Sequence, residues 1–171
     1  DLAAVRAYWR QRLGLGPWPV EDLYFGLVER FVREVTFVDP ETFAQLEGRS
    51  CLYVANHQVG IESLLFGMLI SALARTPTVT LAKAEHSDSW LGTLIAHSFA
   101  YPGVIDPKLI VFFERDNQQS LLRIVGELAS EMTAAKKSLM VHVEGTRALA
   151  CGHPVTKSSS VFLDLALDVD A

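Results

Sequence analysis

His57 and Glu62 stand five positions apart in the stretch VANHQVGIESLLF, Val54 to Phe66. An imidazole whose second nitrogen is held by a carboxylate is a general base. The acid keeps Nδ1–H in place and stabilises the imidazolium that forms when Nε2 takes a proton. No protein nucleophile is needed where the substrate brings its own hydroxyl. The spacing alone is a weak signal, because a polar loop with an acid in the first turn of the next helix has the same letters. What positions the pair therefore matters. A short apolar run, Cys51 to Ala55, ends at Asn56 and His57, and a helix is predicted from about Gly60. In α/β sheets, ligands sit outside the carboxyl ends of strands, where loops meet helix N-termini. His57 stands at a junction of that kind.

Three further apolar runs also end in polar loops. Thr78 to Ala82 runs into Lys83, Ala84 and Glu85, and Ile110 to Phe113 runs into Glu114, Arg115 and Asp116. Leu139 to Val143 runs into Glu144, Gly145, Thr146 and Arg147. If the strands are parallel, all four loops share one edge and bring a His-acid pair, a lysine and two arginines into one cleft. Arginine forks suit phosphate oxygens, and Gly145 would let backbone N–H groups approach an anion closely. Each residue also has a plain alternative. Arg115 can pair with Asp116, Glu144 can cap its loop and Lys83 can be solvated. His142 lies within the fourth strand and reads as a sheet-face residue. His86, His97 and His153 show no metal-ligand spacing, and no metal is expected.

The elements that carry these loops alternate. Helices are predicted over Leu2 to Leu13 and Val20 to Val35, the second with apolar residues three and four apart and with Glu21 and Asp22 in its first turn. This pair packs on the rest of the domain or lies on a membrane surface. A short helix starts at Asp39–Pro40 and stops near Gly48. Helices over Gly60–Arg75, Ser89–Ser98 and Gln118–Lys136 separate the four strands, and one over Ser160–Leu167 follows the last. Short apolar strands between helices imply an α/β fold, a mainly parallel sheet flanked by helices with an N-terminal helical pair. The chain has 171 residues, half of them apolar and a fifth charged. One domain is expected over residues 1–171, with N-terminal helices in 1–48 and an α/β core in 49–171. A net charge of −5 argues against nucleic acid as a partner. Two cysteines without ligand spacing, Cys51 reading as a buried thiol, fit a reducing compartment, the cytoplasm. No signal peptide is expected at Asp1. No run approaches the ~20 apolar residues of a membrane span, so any membrane contact is expected to be peripheral, at the inner face.

The order NHQVGIE, LAKAE, FFER, VEGTR resembles the glycerophospholipid acyltransferase family, in particular its 1-acylglycerol-3-phosphate acyltransferase group. The resemblance covers about residues 50–168. In that family the first motif is N-H, four residues, then Asp. The second ends a strand in arginine, and the third reads F-P-E-G-T-R-S. Glu62 stands here for the aspartate, Val143 for the proline and Ala148 for the serine. The family would next enter a V-P-I-V-P strand, so the core is expected to be truncated at its C-terminal end.

The resemblance implies acyl transfer from a thioester, acyl-CoA or acyl carrier protein, to a hydroxyl of a lysophospholipid-like acceptor. His57 would be the general base, Glu62 its orienting acid, and Lys83 or loop N–H groups the oxyanion donors. Asn56, Arg115, Glu144, Gly145, Thr146 and Arg147 would bind substrate, the arginines holding a phosphate. No cofactor is implied beyond the donor substrate. Two other readings stay open on the same scaffold: a non-catalytic lipid or acyl-carrier binding module, and an acyltransferase whose acceptor is not a phospholipid.

Overall fold

A computed structural model of the chain describes residues 1–105, 107–114, 117–142, 144 and 160–169. Asp1 caps the first helix, α1 (Leu2–Leu13), its carboxylate accepting from the Ala3 N–H at 2.9 Å. The helix stops at Gly14, whose φ of 73° lies in the left-handed region. A side chain there would be strained, and its Cβ would fall 2.8 Å from Ile105 Cδ1.

The second helix, α2 (Glu21–Phe31), ends four residues before the expected Val35. Val32 is already extended, with φ −107° and ψ 108°. The stretch Val32, Val35, Thr36 is rich in β-branched side chains, which lose χ1 freedom in a helix. Phe31 and Val35 stay exposed, so their burial does not offset that cost and local preference wins over apolar periodicity. Asp39 then caps a short helix, α3 (Pro40–Ala44), accepting from the Thr42 N–H at 2.9 Å.

The remaining elements alternate as predicted, with ends shifted by no more than three residues. In chain order they are β1 (Leu52–Ala55), α4 (Glu62–Leu73), β2 (Thr78–Lys83), α5 (Trp90–Phe99), β3 (Ile110–Phe113), α6 (Gln118–Thr133), β4 (Ser138–His142) and α7 (Val161–Asp168). Among the described residues the strands form one sheet in the order β1-β4-β2-β3, with every neighbouring pair parallel. The last strand is thus inserted between the first two. Its register sets Val141 beside Val54 and His142 beside Ala55.

Apolar layers cover both faces of the sheet. Leu139 and Val141 of β4 pack with Val79 against Ile124, Leu128 and Leu165 of α6 and α7. Alternation along the strand turns His142 to the opposite face, where it meets α4. There the N-terminal helices are packed into the core rather than splayed from it. Val5, Trp9, Leu13, Tyr24, Phe25 and Val28 are buried together with Leu65, Met68 and Ile95.

Polar bonds fix that docking. Trp9 Nε1 donates to the Met68 carbonyl at 3.0 Å, and Trp18 Nε1 to the Ser98 carbonyl at 3.2 Å. Buried Glu21 accepts from Arg10 Nε at 2.9 Å and from the Trp18 N–H at 3.3 Å. The Arg10 hydrogen bond, chiefly, holds the Glu21 carboxyl below the usual carboxylate range. Cys51, expected to be buried, is half-buried, and burial pushes its thiol up.

Gly14→Ala tests the α1 junction. The left-handed conformation costs an L-residue roughly 1–2 kcal/mol, and the new methyl must also displace the end of Ile105. A lower urea midpoint with an unchanged slope is the expected result.

Candidate active site

The site is built where β1 ends. Asn56 and His57 leave the sheet, and Glu62 opens α4, where the helix dipole favours an anion. Its carboxylate turns back on the loop it has just left. Oε1 lies 2.5 Å from His57 Nδ1 and accepts from the Gln58 N–H at 2.7 Å. Oε2 accepts from the Val59 N–H at 3.2 Å. The loop from His57 to Ile61 is therefore folded around one carboxylate. Glutamate reaches the imidazole despite its extra methylene. Partial burial pushes the Glu62 carboxyl up, but the hydrogen bonds from His57, Gln58 and Val59 outweigh this and hold it below its ordinary value. With Nδ1–H given to Glu62, Nε2 is the nitrogen left to take a proton from a ligand.

His142 completes the cluster. Its ring stacks on that of His57 with centroids 4.0 Å apart and planes 28° from parallel. His142 Nδ1 lies 2.9 Å from the Asn56 carbonyl and Nε2 2.7 Å from Ser63 Oγ. The carbonyl can only accept, so Nδ1 carries the proton and Nε2 of the neutral ring accepts from the Ser63 hydroxyl. Burial, then the positive charge of a protonated His57, push the His142 imidazole below its usual value, against the pull of the Asn56 carbonyl and Glu62.

From the sequence this residue reads as a sheet-face histidine; it does lie on a face of the sheet, in β4, and its ring there stacks on His57. A signal was available. Aligned on Glu144, the third motif F-P-E-G-T-R-S puts its phenylalanine at His142, so an imidazole replaces an apolar ring one strand from His57.

His57, Glu62 and His142 also offer three ligand atoms within 4.8 Å of one another, a set that could hold a divalent ion. An ion there would have to displace the His57–Glu62 contact or the bonds of His142 to Asn56 and Ser63.

The cluster opens into a cavity of about 1030 Å³. Its apolar wall includes Trp9, Tyr24 and Phe25 from the N-terminal helices and Met68, Ile95 and Phe99 from α4 and α5. Polar groups sit at the strand-end side: His57, Ser63, Lys83, Glu85 and Glu144. Lys83 ends β2, two strands from β1 and thus roughly 10 Å across the sheet from the His57 loop. Half-buried Glu144 follows β4, the immediate neighbour of β1. The turn Ala84–His86 after Lys83 is pressed against α5, where a Cβ on Gly92 would lie 2.2 Å from the His86 carbonyl oxygen. That position admits only glycine. A second groove of about 490 Å³ lies where β3 meets α6, lined by Phe112, Glu114, Asn117, Ser120 and Arg123.

Parallel strands thus bring Asn56, His57, Lys83, Glu114 and Glu144 to one edge of the sheet. Arg115, Gly145, Thr146 and Arg147 lie outside the described residues.

Fold and site together define an α/β domain with a histidine–carboxylate pair at the carboxyl edge of a parallel sheet, open to an apolar cavity. The family model described as Acyltransferase matches residues 34–169, and the chain belongs to that family, the glycerophospholipid acyltransferases. No curated protein and no solved structure matches the chain. The match begins after α2, so the part of the cavity wall carried by Trp9, Tyr24 and Phe25 lies outside it.

The Glu62 contacts give a pH signature. A carboxyl held low in the folded state stabilises the protein above its unfolded-state value, about 4.3 for glutamate. That stability is lost as pH falls through the lower folded-state value. Glu62→Gln is expected to lower stability by about 1 kcal/mol at pH 7, reduced by solvent screening at this partly exposed group. The difference from wild type should shrink near pH 3, as measured by urea unfolding at the two pH values.

Proposed function

We propose that the protein transfers a fatty acyl group from an acyl thioester to the hydroxyl of a lysophospholipid-like acceptor, with His57 as general base. One observation carries this reading: the His57–Glu62 pair, with Nε2 uncommitted among the described residues, stands at the polar end of a large apolar cavity. A site built this way needs a substrate with a reactive polar end and a long apolar remainder.

Nε2 takes the proton of the acceptor hydroxyl as its oxygen attacks the thioester carbonyl. Glu62 accepts from Nδ1–H and stabilises the imidazolium. The tetrahedral oxyanion collapses, the C–S bond breaks, and His57 returns its proton to the departing thiolate. General-base assistance of this kind contributes about 10²–10⁴-fold. Lys83 and loop N–H groups are the proposed oxyanion donors, one good donor contributing about 10²–10³-fold. The acyl chain lies along the wall of Met68, Ile95 and Phe99. Arg115 and Arg147, with backbone access at Gly145, hold the phosphate of the acceptor or of coenzyme A, and Glu144, Thr146 and Asn56 orient it. The donor is acyl-CoA or acyl carrier protein.

Among the described residues no helix is long and apolar enough to cross a membrane. Peripheral contact is proposed through Trp90, which is 71% exposed where α5 borders the cavity. Tryptophan suits an interface with one wet and one apolar side.

The test is turnover of the full chain with acyl-CoA or acylated carrier protein and a panel of lysolipids. His57→Ala should abolish it while acyl-ligand binding survives. Glu62→Gln should lower kcat by roughly 10²–10⁴-fold, because the amide cannot stabilise the imidazolium. Glu62→Asp should fall between, since the shorter acid cannot reach the imidazole and both loop N–H groups at once. Equal turnover of wild type and His57→Ala would remove the catalytic reading. An inactive wild type that still binds acylated ligand would favour a binding module.

The membrane proposal has a separate measurement. Trp90→Ala should weaken co-sedimentation with anionic liposomes about tenfold, the effect of withdrawing one large apolar side chain, and leave turnover of a short-chain soluble acceptor close to wild type.

A further inference from the structure

We infer that His142 is a positioning residue for His57: a neutral imidazole platform that sets the plane of the base and carries the charge that forms on it. The inference rests on His57 being the general base, and it gives a role to a histidine that stands where the family's third motif has a phenylalanine.

The geometry divides the work between two contacts. Glu62 holds His57 by a single bond to Nδ1, 2.5 Å long. One such bond leaves the ring free to rock about its axis, and rocking swings Nε2 away from the acceptor hydroxyl. The stacked ring of His142, 4.0 Å away and 28° from parallel, blocks that motion from the perpendicular direction. His142 can act as a stop because its own ring is anchored at both nitrogens. Nδ1 is bonded to the Asn56 carbonyl, at the residue next to His57, and Nε2 to Ser63 of α4, the residue after Glu62. The base, its acid and the platform are thus referenced to the same two backbone segments and to β4.

The charge argument points the same way. A neutral imidazole presents a π face to the imidazolium formed on His57, an attractive arrangement. A protonated His142 would place a like charge 4.0 Å from it. The groups around His142 favour the neutral form on balance. Glu62 pulls towards protonation, as do the Asn56 carbonyl and the backbone at Ala55. Burial and His57 oppose it and prevail. Ser63, in the first turn of α4, adds the positive end of the helix dipole on the same side, and Lys83 of β2 and Glu144 after β4 line the same cavity from farther along the edge. Glu62, bonded to His57 and not to His142, favours a positive charge on the His57 ring.

The experiment compares His142→Phe, His142→Leu and His142→Ala in the full chain by kinetics and by NMR of ¹⁵N-histidine-labelled protein. Phe keeps a π face of similar size, Leu fills the space without one, and Ala leaves it empty. The expected result is kcat within a few-fold of wild type for Phe and a loss of about tenfold to a hundredfold for Leu and Ala, the scale of a misplaced catalytic group. The KM values should stay within about threefold. Where His142→Ala does not fold, the Phe–Leu pair carries the comparison. Equal kcat for Phe and Leu would overturn the inference.

NMR gives a readout independent of turnover. The Nδ1 proton of His57, in its short bond to Glu62, should be a sharp downfield signal in wild type and His142→Phe and exchange-broadened in His142→Leu. His142 itself should show the Nδ1–H tautomer at pH 7. A His57 proton signal equally sharp in Phe and Leu variants would overturn the platform even if wild-type protein turned over no substrate tried. Loss of turnover in wild type alone would instead count against the transferase reading.

Discussion

The carboxylate of Glu62 is the constraint on which the site depends. Two backbone N–H groups and one imidazole nitrogen converge on it. In the six-residue connection between β1 and α4, these bonds tie the backbone at Gln58 and Val59 to the first residue of the helix. The same group that closes the loop also holds the His57 imidazole. Loop folding and imidazole orientation are therefore one event. This is why the side chain can be a glutamate: the distance is set by how the loop wraps the acid, not by the length of the acid alone.

That local arrangement would be useless without the sheet order. Parallel pairing sends all four strand ends to one edge, and placing β4 between β1 and β2 sets His142 against the His57 loop. The buried alternation of β4 does the rest. Leu139 and Val141 are committed to α6 and α7, so His142 must face α4. A one-residue slip in that register would exchange the two faces. The apolar layer under α6 thus determines where the second histidine points.

The N-terminal helices close the other side. Trp9 and Trp18 each bury an indole and give the N–H to a backbone carbonyl of the core, so they act as anchors rather than as loose amphipathic elements. Their aromatic residues finish a cavity whose other wall comes from α4 and α5. A long apolar ligand would then be read partly by a segment outside the stretch that matches the family.

Much of this was legible in the sequence. The alternation of apolar runs and helical periods determined the fold class, and α1 and β3 fall at their predicted ends because Asp1, Gly14 and the short run Ile110–Phe113 are local signals. The pairing of His57 with Glu62 and the order of the strand-end motifs were also readable, since a histidine and a carboxylate five residues apart belong to a single loop. The early end of α2 was not, because apolar spacing does not reveal whether anything will cover Phe31 and Val35. Strand order was not either, and with it the stacking of His142 on His57. Those rings come from segments far apart in the chain, and they meet only because β4 pairs with β1 in one register with its apolar side turned towards α6. Sequence carries the chemistry of each side chain and the geometry of each turn; which distant side chains touch is settled by how the layers pack.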